Sequence, residues 1–325
     1  MSIPGKKSSG HLLAIGISIG LLAYWSGWPG DDVSADVLPL MNAGKFEQAL
    51  SELEAIEARG AEGSGEIVNK SICLVALGEH PKAVRTLQGG IVTFPEEHGL
   101  TVVLADIYLS LGQPRLAKAV LSDARERGAP DEVISVPLAI CLGKKGDYEQ
   151  ALIELERAER DGASLTDVGY NKSLILLKEG RADEAKNLLE AVLEQSGEHL
   201  AALREHARAL VMTAEGEHDV RLDLAISQVN QVLQIRTEDW RAYEVLGDAF
   251  LAQADPVAAI AAYTEALRFG RNPAEVEDKY RAAAVRARQL HGDAVDLPTV
   301  KPERSIPPLP PSMEGLEDLL RGSRG

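Results

Sequence analysis

Aromatic residues make up only 4% of this 325-residue chain and cysteine occurs twice, so base-stacking platforms are scarce and neither a disulfide framework nor a four-thiolate metal site can be assembled. Basic residues are outnumbered, 34 against 50 acidic, and the formal net charge of -16 opposes adsorption to nucleic acid or to an anionic lipid surface. No glycine-rich phosphate loop or G-x-S-x-G elbow stands out, and no histidine lies in an H-E-x-x-H or C-x-x-C context. His199 and His206 share a helix face two turns apart, and ~10 Å along the axis is too long for one metal ion. An enzyme, a cofactor, a metal and a small-molecule substrate are accordingly not expected. What remains is core-forming material, 45% hydrophobic and 26% charged. Its length suits two average domains or one elongated repeat domain.

The one long apolar run stands at the N-terminus. Between Lys7 and Asp31 there is no charged residue, and residues 12–28 read LLAIGISIGLLAYWSGW. As a helix these positions cover ~26 Å, close to the hydrocarbon thickness of a bilayer. Lys6 and Lys7 precede the run while Asp31, Asp32 and Asp36 follow it, so the positive-inside bias keeps residues 1–10 cytoplasmic, sets 11–30 as a signal anchor and exports the rest. A cleaved signal peptide is the competing reading. The exit, AYWSGWPGDD, offers no small-x-small cleavage site. The expected location is the cytoplasmic membrane, single-pass, with the following domain exported, periplasmic in a two-membrane envelope.

Self-comparison shows a repeat. NAGKFEQA from Asn42, ALGEHPKA from Ala76, SLGQPRLA from Ser110, KKGDYEQA from Lys144 and KEGRADEA from Lys178 superpose without gaps, with glycines at 44, 78, 112, 146 and 180. The repeat alanines run Ala49, Ala83, Ala117, Ala151 and Ala185, then, after an insertion around residues 216–221, Ala225 and Ala259. Four residues after each, on the same helical face, stands Leu53, Leu87, Leu121, Leu155, Leu189, Val229 or Tyr263. An upstream helix in each unit carries a small residue, Ser71, Ala105, Ala139, Ser173, Ala207 or Gly247, where two helices can approach closely. Each unit is thus a helical hairpin that cannot bury its apolar face alone, and stacking neighbours supply the missing core. Cys73 and Cys141 lie two periods apart, on the order of 20 Å in such a stack, and read as separate buried thiols.

This pattern resembles the tetratricopeptide repeat family. Leu246, Gly247, Phe250, Ala259, Tyr263, Ala266 and Leu267 occupy the family's signature places. The resemblance implies an all-α fold, a right-handed α-solenoid of about seven hairpins after one transmembrane helix. Its units fall at about 30–63, 64–97, 98–131, 132–165, 166–199, 200–239 and 240–273, within a solenoid of 31–273. Residues 274–292 read as a capping helix, and six prolines between 298 and 311 make 293–325 a disordered tail with a short amphipathic end at Met313, Leu316 and Leu320.

In the family the second, fifth, ninth and twelfth places of each first helix face a groove. Carried onto this chain, they give Val68, Ile72 and Val75, then Val102, Asp106 and Leu109, then Val136 and Ile140, then Tyr170, Leu174 and Leu177. Asn69 and Asn171 recur at the sixth place, where the family's carboxylate clamp uses asparagine, but the clamp lysines are missing from the fifth place. A mostly apolar strip suits the nonpolar face of an amphipathic helix or an extended apolar segment. Superhelical packing, or the proline-rich tail folding back, would instead close it. The resemblance therefore implies a non-enzymatic, membrane-tethered scaffold or assembly factor for a protein or peptide partner. It is similar in arrangement to bacterial envelope factors that serve secretion, cytochrome maturation or surface-structure assembly. A fixed structural subunit, contacting a larger envelope complex by its convex side, is the alternative.

Overall fold

The computed structural model describes residues 37–60, 62–270 and 273–291. Among these residues there are fifteen α-helices and no strand. The expected anchor at 11–30 and the tail at 293–325 lie outside the described residues. No helix among the described residues is long and apolar enough to cross a membrane.

Two compact bodies divide the chain, the first ending at Thr213 and the second beginning at Ala214. The first holds α1 (Val37–Asn42), α2 (Phe46–Ala58), α3 (Ser64–Ala76), α4 (His80–Thr93), α5 (His98–Ser110), α6 (Pro114–Glu126), α7 (Asp131–Lys145), α8 (Tyr148–Arg160), α9 (Leu165–Lys178), α10 (Ala182–Gln195) and α11 (Leu200–Thr213). The second holds α12 (Val220–Ile235), α13 (Trp240–Ala252), α14 (Pro256–Phe269) and α15 (Pro273–His291).

In both bodies each helix packs on the next in sequence. In the first body α3, α5, α7, α9 and α11 also touch one another in series, whereas α4, α6, α8 and α10 make no comparable mutual contact. The row whose members approach each other is the inner row of a curved stack. Short side chains make that approach possible. Ala49, Ala83, Ala117, Ala151 and Ala185 are fully buried, as are Leu53, Leu87, Leu121, Leu155 and Leu189 one turn on. Around Ala151 the core takes in Ala139 and Leu142 of its hairpin partner α7, Leu155 and Ala158 of α8, and Val168 of α9, so one repeat's core is completed by the next.

The turns explain the spaced glycines. Gly146 ends α7 with φ 85°, its N–H bonding back to the Gly143 carbonyl and the Asp147 N–H to the Leu142 carbonyl, both at 3.0 Å. Ala254 stands at the corresponding turn of the second body and is, among the described residues, the non-glycine residue with positive φ, 59°. That body closes with α15, which buries Val276, Ala283 and Ala287 against Ala259, Tyr263 and Leu267 of α14.

Candidate functional site

Three helices of the inner row leave one face partly open: Val102, Asp106 and Leu109 on α5, Val133, Val136, Pro137 and Ile140 on α7, and Tyr170, Asn171 and Leu174 on α9, where Asp167 is exposed. Spacings of three and four put each set on a single stripe. Pro137 has no N–H to give the Val133 carbonyl, so the middle stripe loses a helical hydrogen bond on this face.

The strip does not begin where the sequence register places it. Val68 (2% exposed), Asn69 (1%), Ile72 (4%) and Val75 (3%) on α3 are buried, and Leu177 on α9 is at 9%. Side chains with so little free area offer a ligand nothing to cover. Neither amide atom of Asn69 has a hydrogen-bond partner, so Asn69 and Asn171 differ despite their shared place in the repeat. Both asparagines lie within helices. Nδ2 of Asn171 donates to the Asp167 main-chain carbonyl at 2.8 Å.

The accessible set therefore comprises Val102, Asp106, Leu109, Val136, Ile140, Tyr170, Asn171 and Leu174, joined by Asp167. Asp167 is exposed, yet partial desolvation by its surroundings raises its carboxyl above the usual aspartate range, opposed in part by the His199 imidazole. The Tyr170 ring lies 5.0 Å from the His199 ring, and His199 Nδ1 accepts from the Ala202 N–H at 3.0 Å, capping the first turn of α11. Asp167 is at the second place of its repeat, one of the family's groove-facing places, so the register contained the signal that would have found it.

Other polar groups are occupied with holding helices together. The Arg125 guanidinium donates to both Glu154 oxygens at 3.0 and 2.8 Å and to Ser135 Oγ at 2.8 Å, and pairs with Asp131 at 2.7 Å. On α11 the buried Glu205 accepts from Arg204 Nε at 2.9 Å and Arg208 Nε at 3.1 Å. Lys279 reaches from α15 to Glu244 and Asp248 of α13, each at 2.7 Å. Cys73 and Cys141 are separate buried thiols, both pushed up to about 12 by burial, and are unreactive by that measure. Among the described residues no three His, Cys, Asp or Glu side chains gather as a metal site.

Two family profiles described as Tetratricopeptide repeat match residues 169–199, across α9 and α10, and 221–276, across α12 to α14. No curated protein matches the chain. A tetratricopeptide repeat protein from Parabacteroides merdae is similar over 78% of this chain and 98% of its own, with a TM-score of 0.58 at 12% identity. Yeast Tom70 is similar over 86% of this chain and 70% of its own (TM-score 0.55, 13% identity). The Cut9–Hcn1 hetero-tetramer of the APC/C is similar over 84% of this chain and 54% of that one (TM-score 0.63, 15% identity), so this chain spans about half of it. Tetratricopeptide repeats are thus present at residues 169–199 and 221–276, in a chain with the all-helical fold of tetratricopeptide-repeat structures.

Proposed function

We propose that this chain is a non-enzymatic interaction scaffold that holds an apolar or amphipathic segment of a protein partner on the inner face of α5, α7 and α9. Residues 11–30 would tether it to the cytoplasmic membrane, with the repeats exported; the unbroken apolar run and the charges on either side of it support that placement. The observation that carries the binding reading is the continuous strip of Val102, Leu109, Val136, Ile140 and Leu174, partly open on three adjacent helices of one row. An extended or helical segment laid across it would remove apolar surface from water on both partners.

The alternative, a fixed subunit joined by the outer row, draws on Val92 of α4 and Ile153 of α8, two large apolar side chains exposed on that side. Paired substitutions separate the two. Ile140→Asp with Leu174→Asp should weaken binding of an amphipathic peptide by at least about tenfold, because two desolvated apolar contacts become charges. Val92→Asp with Ile153→Asp should leave it unchanged. Titration of a labelled amphipathic peptide into the full-length chain measures both, and the reverse pattern would transfer the function to the outer row. Ile72 is unsuited to this test because a buried charge there would damage the core itself.

A further inference from the structure

We infer that the solvent face of α12 pairs with α12 of a second copy of this chain, the two helices antiparallel about a two-fold axis near Ser227. Val220, Leu224 and Ile235 on this helix are large apolar side chains exposed by 73%, 46% and 68%, and no other helix among the described residues exposes more than two of that kind. With Ser227 and Gln231, also exposed, they follow at spacings of four, three, four and four, a single stripe opposite the buried Leu222, Ala225, Val229 and Val232. The stripe is free of charge. No charged residue stands between Asp223 and Arg236, and the two in the first turn are engaged: Arg221 pairs with Asp219 at 2.6 Å, and Asp223 accepts from Gln253 Nε2 at 2.7 Å.

Charge and symmetry both select a second copy as the occupant. Chains that each carry a net charge of -16 repel one another, so two copies meet closely only where neither presents charge. A two-fold contact also needs a surface that complements itself when reversed. The stripe does so. Rotation about its midpoint sets Val220 against Ile235 of the partner subunit and Leu224 against Gln231 of the partner subunit. Apolar ends then cover apolar ends, and the short Ser227 side chain at the crossing lets the axes approach to the ~8 to 10 Å of packed helices. A bilayer surface is a poorer match, because helices that lie in one carry lysine and arginine along their polar face, and the single basic residue of α12 is Arg221. One pair of helices falls at or below the ~1,000 Å² that a specific interface clears, so the pairing is weak and is best read by covalent capture.

The test is Val220→Cys with Ile235→Cys in the full-length chain, treated with a short bismaleimide. The two ends of the stripe lie ~22 Å apart along one helix, beyond the reagent's reach, so each introduced thiol is bridged only to the other position on a second copy. Cys73 and Cys141 are buried and pushed up to about 12, and do not compete. Cross-linked dimer should form at least about tenfold faster than from Val220→Cys or Ile235→Cys alone, since pairing raises the effective concentration of one thiol near the other. Adding Leu224→Glu to the double variant should abolish that excess, and adding Gln231→Lys to the result should restore it. Positions 224 and 231 face each other across the axis but stand two turns apart within a helix, too far to pair there. All four positions are exposed, so the fold is not at stake. No excess in the double variant, whether the stripe stays bare or another protein covers it, would overturn the inference. Equal cross-linking of Val220→Cys alone, or failure of Gln231→Lys to restore what Leu224→Glu removes, would overturn the antiparallel two-fold and the inference with it.

Discussion

Replacing Gly247 with alanine should cost about 3 kcal/mol of stability in the second body, an unusually large effect for one added methyl group. A Cβ at that position would lie 2.4 Å from Tyr263 Cε1, 2.6 Å from Cδ1 and 2.8 Å from Cζ. The ring cannot retreat. Tyr263 is fully buried, and its hydroxyl donates to Asp248 Oδ1 at 2.7 Å, while Lys279 from α15 holds the other oxygen of that carboxylate. Burial first, and Asp248 second, push the Tyr263 phenol well above its ordinary pKa, so at any ordinary pH it remains a donor. Backbone displacement of α13 from α14 is then the available relief, and it opens the contact that both helices share with the rest of the body. Hydrogen exchange across α13 and α14 should show the loss directly. Tyr263→Leu in the Gly247→Ala background should recover part of it, because the colliding ring is gone and the two changes are not additive. Gly65→Ala serves as the contrast: the added Cβ meets nothing within 4 Å, and helix propensity favours alanine by up to about 1 kcal/mol. Equal destabilisation by the two glycine substitutions would show that the close approach of α13 and α14 is not what selects glycine.

Arg125→Met should cost the first body about 3 kcal/mol, and the deficit should shrink on acidification. The Arg125 guanidinium joins α6 to Asp131 and Ser135 of α7 and to Glu154 of α8, so its removal strands two carboxylates with side-chain exposures of 35% and 17%. Removing one partner from an enclosed ion pair leaves the desolvation penalty of the other uncompensated. Burial alone would raise the Glu154 carboxyl; the Arg125 hydrogen bonds and charge more than offset it and hold it below the usual range. A carboxyl whose folded pKa is lowered contributes stability that is complete above its unfolded value of about 4.3 and is lost as pH falls through the folded value. In the variant only Arg157 and Ser135 still oppose burial, so Glu154 should titrate higher than it does beside Arg125. Its charged form is then less well held near neutral pH, and the deficit shrinks as it protonates. Denaturant unfolding at about pH 7 and about pH 4.5 tests the sign. A deficit that grows on acidification would contradict the assignment of Glu154 as the group that Arg125 stabilises.

Much of the architecture can be read from local chemistry. Glycine at 44, 78, 112, 146 and 180 marks turns with positive φ, and the buried Ala151 packs in one core with the small Ala139 of the preceding helix. These signals are legible because they are short-range: a turn needs φ > 0, and two helices at close approach need short side chains. Accessibility is different. The repeat register assigns Val68, Ile72 and Val75 the same places as Val102, Asp106 and Leu109, yet the first three are buried and the second three are partly open. Position within a repeat fixes which way a side chain points; what stands in front of it depends on the stack. Asp167 illustrates the converse, a polar residue at a groove-facing place that a search for apolar side chains passes over. Nor does the spacing pattern reveal that Lys279 bonds Glu244 and Asp248, since that network joins residues more than thirty positions apart.

The claim that the inner face of α5, α7 and α9 is the binding surface is tested most directly by hydrogen–deuterium exchange of the full-length chain with and without the amphipathic peptide at saturation. Bound peptide should slow exchange in α5, α7 and α9, most strongly around residues 136–140 and 167–174, and leave α4, α6 and α8 unchanged. Protection confined to α4, α6 and α8 would contradict it.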